Sequence, residues 1–175
     1  TTILTLAGVT LGSGTFAAGT ATTINVSGNW TNNGGTFTPG TGTVIFNNAT
    51  AAQTIGGTGT SETFYNVTIN KAAGGGITLT AGSGTLVTIT MQTCSVTTVN
   101  NFNTTAVTTL NINGNMVLAA TGTFTVGATT NVGGNWTWTN LGIFTPGTGT
   151  VRFNGTGAQL IAGTQVTQSF NNFTV

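Results

Sequence analysis

The sequence predicts an all-β fold, a parallel β-solenoid (β-helix) of about eight to nine coils, and three observations predict it. Short apolar and polar alternations recur about every 20 to 23 residues, a long segment is copied within the chain, and helix signals are almost absent. Threonine alone supplies 45 of the 175 residues, and with Val, Ile, Asn and Gly it makes the chain a poor helix former.

In chain order the strand candidates are Ile3 to Leu6, Thr22 to Val26, Thr43 to Phe46, Phe64 to Ile69, Thr85 to Ile89, Thr108 to Ile112, Thr129 to Val132, Val151 to Phe153 and Phe170 to Val175. Each alternates and is bounded by Gly, Asn or Thr, the pattern of a half-buried strand between turns. Glycine runs such as Gly56-Gly57 and Gly74-Gly75-Gly76 lack the Lys-Ser/Thr of a phosphate loop and read as turns.

The long copy is explicit. GNWTNNGGTFTPGTGTVIFN from Gly28 returns as GNWTWTNLGIFTPGTGTVRFN from Gly134, with one extra residue. Beyond it Gln53 matches Gln159, and Phe64, Asn66 and Thr68 match Phe170, Asn172 and Thr174, an offset of about 106 residues or about five short periods. The chain therefore reads as one repeat domain, residues 1–175, with residues 23–70 copied at 129–175.

Aligning the copies also assigns faces. Arg152 stands where the first copy has Ile45, and an arginine must reach water. Val44, Phe46, Val151 and Phe153 then point inward, as do Val67, Ile69, Phe173 and Val175, with Asn66, Thr68 and Thr174 outside. Pro39-Gly40 and Pro146-Gly147 mark turns at equivalent positions. The rival architecture is an antiparallel β-sandwich of about nine strands, completed by a strand from a neighbouring subunit.

Composition excludes several functions. Charged residues make up 2% of the chain, against roughly a quarter in ordinary soluble proteins. Glu62, Lys71 and Arg152 are the whole charged set, and there is no histidine or aspartate. Electrostatic binding of nucleic acid is not expected, nor is membrane insertion, since no run approaches the length of a spanning helix. One glutamate without a partner cannot supply a triad, a carboxylate pair or a metal cluster, so neither catalysis, nor a metal, nor a cofactor is expected. Glu62 and Lys71 flank a strand candidate and read as solvated edge charges or an ion pair. Cys94, the single cysteine, alternates with polar neighbours and reads as a small buried hydrophobe.

The run GNWTNNGGTFTPGTGTVIFN, followed by AAQTIGG and FYNVTIN, resembles the repeats of large secreted bacterial surface proteins of the adhesin or haemagglutinin-like β-helix kind, over nearly the whole chain. The resemblance implies a secreted or surface-attached, non-enzymatic protein. Thr1 in place of methionine fits an extracellular or cell-surface location reached after signal-peptide removal.

Three roles follow as expectations. The first is a structural subunit that self-assembles head to tail into an extracellular filament or surface layer, through Ile3, Leu4 and Leu6 at one end and Phe170, Phe173 and Val175 at the other. With so few charges, that assembly should be nearly indifferent to salt and to pH between about 3 and 9. The second is a fragment of an adhesin that binds surface glycans. Trp30 and Trp136 occupy equivalent repeat positions and should pack in one recurring niche, whereas Trp138 has no counterpart and is the candidate exposed ring for a sugar. Sequons at Asn29, Asn66 and Asn135, among others, are candidate glycosylation sites. The third is ice binding by outward threonines. The Thr-x-Thr pairs at Thr36, Thr41, Thr58, Thr78, Thr88, Thr121, Thr123 and Thr148 do not recur at one position per coil along the sequence, so no regular face is expected from them.

Overall fold

The computed structural model describes residues 2–71, 77–97, 100–119, 121–139 and 142–175, and among these it is all-β without a helix. The chain winds three strands to a turn. The turns are β1 (Thr2–Leu6), β2 (Val9–Leu11) and β3 (Thr15–Ala17); β4 (Ala21–Val26), β5 (Trp30–Asn32) and β6 (Thr36–Thr38); β7 (Thr43–Phe46), β8 (Gln53–Gly57) and β9 (Ser61–Thr63); and β10 (Asn66–Ile69), β11 (Ile77–Gly84) and β12 (Thr88–Met91). There follow β13 (Thr93–Val96), β14 (Asn100–Asn103) and β15 (Thr109–Ile112); β16 (Met116–Leu118), β17 (Thr123–Thr125) and β18 (Thr129–Val132); β19 (Trp136–Trp138), β20 (Ile143–Thr145) and β21 (Thr150–Phe153); then β22 (Ile161–Gly163) and β23 (Asn172–Thr174).

Every third strand stacks on its predecessor, building three parallel sheets along one axis. One has eight strands, β1-β4-β7-β10-β13-β16-β19-β22, and the next has seven, β2-β5-β8-β11-β14-β17-β20. The third face holds six strands, β9-β12-β15-β18-β21-β23, preceded by the separate pair β3-β6. The pairings are parallel, as in Ile24↔Val44↔Val67↔Cys94↔Met116↔Trp136. The molecule is thus the expected parallel solenoid and not the antiparallel sandwich. Seven complete turns and a partial eighth replace the eight to nine expected. The count differs because the candidates at residues 64–69 and 85–89 fall in one coil, on β10 and beside β12.

Inward residues from the three faces form one apolar core. Val44, Phe46, Val67, Ile69, Val151 and Phe153 all point into it, while Arg152 is exposed, as the alternation requires. Cys94 is fully buried beneath β13, and burial pushes its thiol up to about 12, so it packs as a hydrophobe. Phe102 stacks on Phe124 at 5.6 Å in successive coils, and Phe144 continues the column at 5.9 Å. Phe173 and Val175, expected inward, are 47% and 89% exposed, because β23 is the outermost strand of its sheet and no coil lies above it.

The internal copy shows that the strand, rather than the turn, is the repeating unit. Trp30 lies on β5 of the seven-stranded sheet, but its counterpart Trp136 lies on β19 of the eight-stranded one. Likewise β7 and its copy β21 occupy different faces. The copy is displaced by fourteen strands, from β5 to β19 and from β7 to β21, which is four turns and two-thirds and not the five whole periods suggested by spacing. Each copied element is therefore rotated by one face about the axis.

The local hydrogen bonds survive this rotation. Gln53 Nε2 donates to the carbonyls of Val26 and Gly28, and Gln159 Nε2 donates to those of Val132 and Gly134. Gln53 Oε1 accepts from Asn48 N–H, as Gln159 Oε1 does from Gly155 N–H. The same corner sequence thus serves at two different corners of the solenoid, from β7 to β8 and from β21 to β22. The Pro-Gly turns also hold: Gly40 and Gly147 have φ of 59° and 52°, the left-handed conformation that glycine tolerates after proline in such turns. Gly74-Gly75-Gly76 lies outside the described residues.

Candidate functional site

Three regions carry the side chains singled out by the sequence. The first is the third face, where parallel register decides which residues stand side by side. Ser61, Thr88, Thr109, Thr129, Thr150 and Asn172 are consecutive partners along it, and Thr15 and Thr36 continue the column on the β3-β6 pair. Two residues on, Thr63, Thr90, Asn111, Asn131, Arg152 and Thr174 form a second outward column, preceded by Ala17 and Thr38. Side chains bond along this column: Asn131 Nδ2 donates to Asn111 Oδ1 at 2.8 Å, and Asn111 Nδ2 to Thr90 Oγ1 at 3.3 Å.

The Thr-x-Thr pairs themselves do not recur at one position per coil, as expected: those at Thr36 and Thr88 lie on the third face and those at Thr78 and Thr123 on the seven-stranded sheet, and the register aligns single hydroxyls instead. Five successive coils, from Ser61 to Thr150, put a hydroxyl at one place on this face, and the separate β3-β6 pair adds Thr15 and Thr36 beyond it. The spacing in sequence concealed it, because corners of unequal length separate the strands. The other faces are less regular: Ile45, Val117 and Ala162 enter the outward column of the eight-stranded sheet, and Ile143 enters that of the seven-stranded sheet.

The second region is the pair of ends. Ile3 is 60% exposed on β1, the outermost strand of the eight-stranded sheet, with Leu4 and Leu6 half-buried beside it. At the opposite end Phe170 is half-buried against the core, packing on Trp136, Phe144 and Phe173. A hollow of about 280 Å³ there is lined by Phe153, Ile161, Phe173 and Val175, among others. The copies show what such positions do when covered. Ile55, Val67 and Ile69, the first-copy counterparts of Ile161, Phe173 and Val175, are completely buried under the next coil, against Ala81, Cys94 and Val96.

The third region is a buried polar niche. Trp30 is fully buried in edge-on contact with Phe37 at 4.7 Å and Phe64 at 5.1 Å. Trp136 repeats this against Phe144 at 5.0 Å and Phe170 at 5.6 Å, so the recurring niche is real. Trp30 Nε1 donates to Glu62 Oε2 at 2.7 Å, and Asn32 Nδ2 donates to the same oxygen at 3.0 Å. In the copy Gln168 stands for Glu62 and Trp138 for Asn32. Trp136 Nε1 and Gln168 Oε1 are both buried there without a hydrogen-bond partner.

Three expectations are corrected here. Glu62 and Lys71 are not solvated edge charges, being only 4% and 2% exposed, because both point inward on their coils. Nor is Lys71 spent on Glu62: its Nζ donates to the carbonyl of Ala51 at 3.1 Å, with that of Asn48 at 3.5 Å. Trp138, expected to be exposed, is 6% exposed and donates from Nε1 to the carbonyl of Gly142, because it sits at an inward position of β19.

Burial raises the Glu62 carboxyl above its ordinary 4.5, against the opposing hydrogen bonds from Trp30, Thr63 and Asn32. Burial also lowers the Lys71 ammonium from 10.5 to about 8. Between 4.5 and the raised Glu62 value the folded chain holds a proton that the unfolded chain has lost, so stability falls as pH rises through that window. Between about 8 and 10.5 the unfolded chain holds the extra proton on Lys71, and stability climbs again. Folding stability is therefore expected to be lowest between the raised Glu62 value and about 8, and Glu62→Gln to remove the acid limb of the profile. Urea unfolding across that pH range checks both, and a flat profile for the parent chain would contradict them.

The sequon residues serve corners and ladders. Asn29 and Asn135 are exposed, and each Oδ1 accepts a backbone N–H from the next coil, that of Thr54 and of Leu160. Asn66 Oδ1 accepts from Thr93 Oγ1. Among the described residues no three His, Cys, Asp or Glu side chains gather, and no helix is long and apolar enough to cross a membrane. Comparisons with protein-family models, with curated proteins and with solved structures find no match to this chain.

Proposed function

We propose that the chain is a non-enzymatic structural subunit, a rigid solenoid rod that stacks coil on coil with other copies of itself into an extracellular filament or surface layer. The observation that carries this reading is the unequal burial of equivalent residues. Ile55, Val67 and Ile69 are sealed by a following coil, whereas Ile161 is 37%, Phe173 47% and Val175 89% exposed. A coil laid on that end would bury them as it does in the first copy, each large side chain contributing about 1.5 to 3 kcal/mol. Leu4 and Leu6 of another copy offer matching inward apolar positions, with Ile3 on the outer side of the same strand. The same contact would pair the edge N–H and C=O groups, and a covering coil would press Gln168 toward Trp136 Nε1 as Glu62 meets Trp30.

The glycan-binding alternative loses the ring it rested on, since Trp138 is buried.

Electron microscopy of the purified 175-residue chain tests the stacking. The expected result is uniform filaments with an axial repeat of about 38 Å, eight coils at about 4.8 Å each. Replacing Phe173 by Asp is expected to disperse them. A chain that sediments as a monomer at high concentration would overturn the reading.

A further inference from the structure

We infer that the third face is an ice-binding surface, with the hydroxyls and methyls of its two outward columns as the contact. This goes beyond the structural role and does not need it, because the face lies along the side of the rod and stacking leaves it open.

The first column carries a hydroxyl in five successive coils, Ser61, Thr88, Thr109, Thr129 and Thr150, and the separate β3-β6 pair before it carries Thr15 and Thr36. From Ser61 to Thr150 each is the direct strand partner of the next, so the register does not slip. Parallel strands place such side chains about 4.8 Å apart along the axis, and residues two apart on one strand about 6.6 Å across it. In tetrahedral water with O···O near 2.8 Å, second neighbours lie about 4.6 Å apart, close to the coil spacing. Water held on one hydroxyl therefore finds its lattice neighbour's place on the next.

Order and charge favour the same conclusion. The Asn131–Asn111–Thr90 hydrogen bonds hold part of the second column in one conformation, and backbone ladders hold the strands beneath. A pre-ordered array loses little conformational entropy on meeting a crystal. Arg152 is the single charge in the two columns, and Ala17 the single apolar residue. On the other two faces Ile45, Val117, Ala162 and Ile143 interrupt the outward columns, whereas this face carries five directly paired hydroxyls in a row.

Thermal hysteresis and ice-crystal shape, measured on the whole chain, test the inference. The parent chain is expected to show a freezing gap and faceted crystals. The double variant Thr109→Tyr, Thr129→Tyr is expected to lose more than half of the gap, while Thr68→Tyr on the eight-stranded sheet leaves it unchanged. Circular dichroism confirms that each variant is folded, and should the tyrosines unfold the chain, Thr109→Val removes the hydroxyl at nearly constant shape and should reduce the gap. Absence of hysteresis in the parent overturns the inference, as does an equal loss in Thr68→Tyr. Binding to crystalline cellulose without any hysteresis also overturns it, and would assign the face to a carbohydrate lattice.

Discussion

Replacing Trp30 by alanine is expected to destabilise the fold by about 4 to 5 kcal/mol, the upper range for removing a buried tryptophan. The ring is completely buried and makes edge contacts with Phe37 and Phe64, so its loss opens a cavity in a core that spans three faces. It also removes the 2.7 Å hydrogen bond to Glu62, leaving a buried carboxylate with fewer donors. Trp136→Ala removes an equivalent ring whose Nε1 has no partner, and should cost about 1 to 2 kcal/mol less. Trp30→Phe separates the two contributions, keeping most of the packing and losing the donor. Urea unfolding followed by the fluorescence of the remaining tryptophans measures all three. Equal losses at Trp30 and Trp136 would show that the carboxylate contact contributes nothing.

Gly57→Ala is expected to cost about 3 to 5 kcal/mol, from backbone strain of about 1 to 3 and overpacking of similar size. Gly57 has φ of +124°, a conformation that residues with a side chain rarely adopt, and a Cβ there would run into the backbone of Asn32 in the coil below. Its carbonyl accepts from Thr85 N–H at 2.9 Å in the coil above, so the coil cannot shift without breaking the stack on both sides. Gly163 is the same residue of the second copy, with φ of +138° and Trp138 beneath it. It lies in the last, partly covered coil, which can relax, so Gly163→Ala should cost below about 2 kcal/mol. Thermal unfolding of the two variants checks the contrast, and equal effects would mean that the stack relaxes alike along its length.

Much of the candidate site was legible only in part. The equivalence of Trp30 and Trp136 followed from sequence alone, because a copied motif keeps its local bonds wherever it is placed. Trp138 has no tryptophan counterpart in the first copy, but that says nothing of exposure, and alternation with Trp136 on β19 puts both rings inside. Period-2 alternation through Ser61, Glu62 and Thr63 would have found the burial of Glu62, with its neighbours outside. Their polar character hid the strand.

Composition and alternation by themselves determined that this protein is all-β, that Val44, Phe46, Val151 and Phe153 face inward, and that two copies share one motif. These are local properties: which side of a strand a residue occupies depends on its immediate neighbours and on the pleat. The tertiary structure alone decided which face each strand joins, that the copy is rotated by one face, and that hydroxyls from five successive coils, Ser61 to Thr150, stand in one column. Those outcomes depend on register between strands 20 or more residues apart, as from Thr109 to Thr129, and register is set by corner lengths and parallel hydrogen bonding between coils.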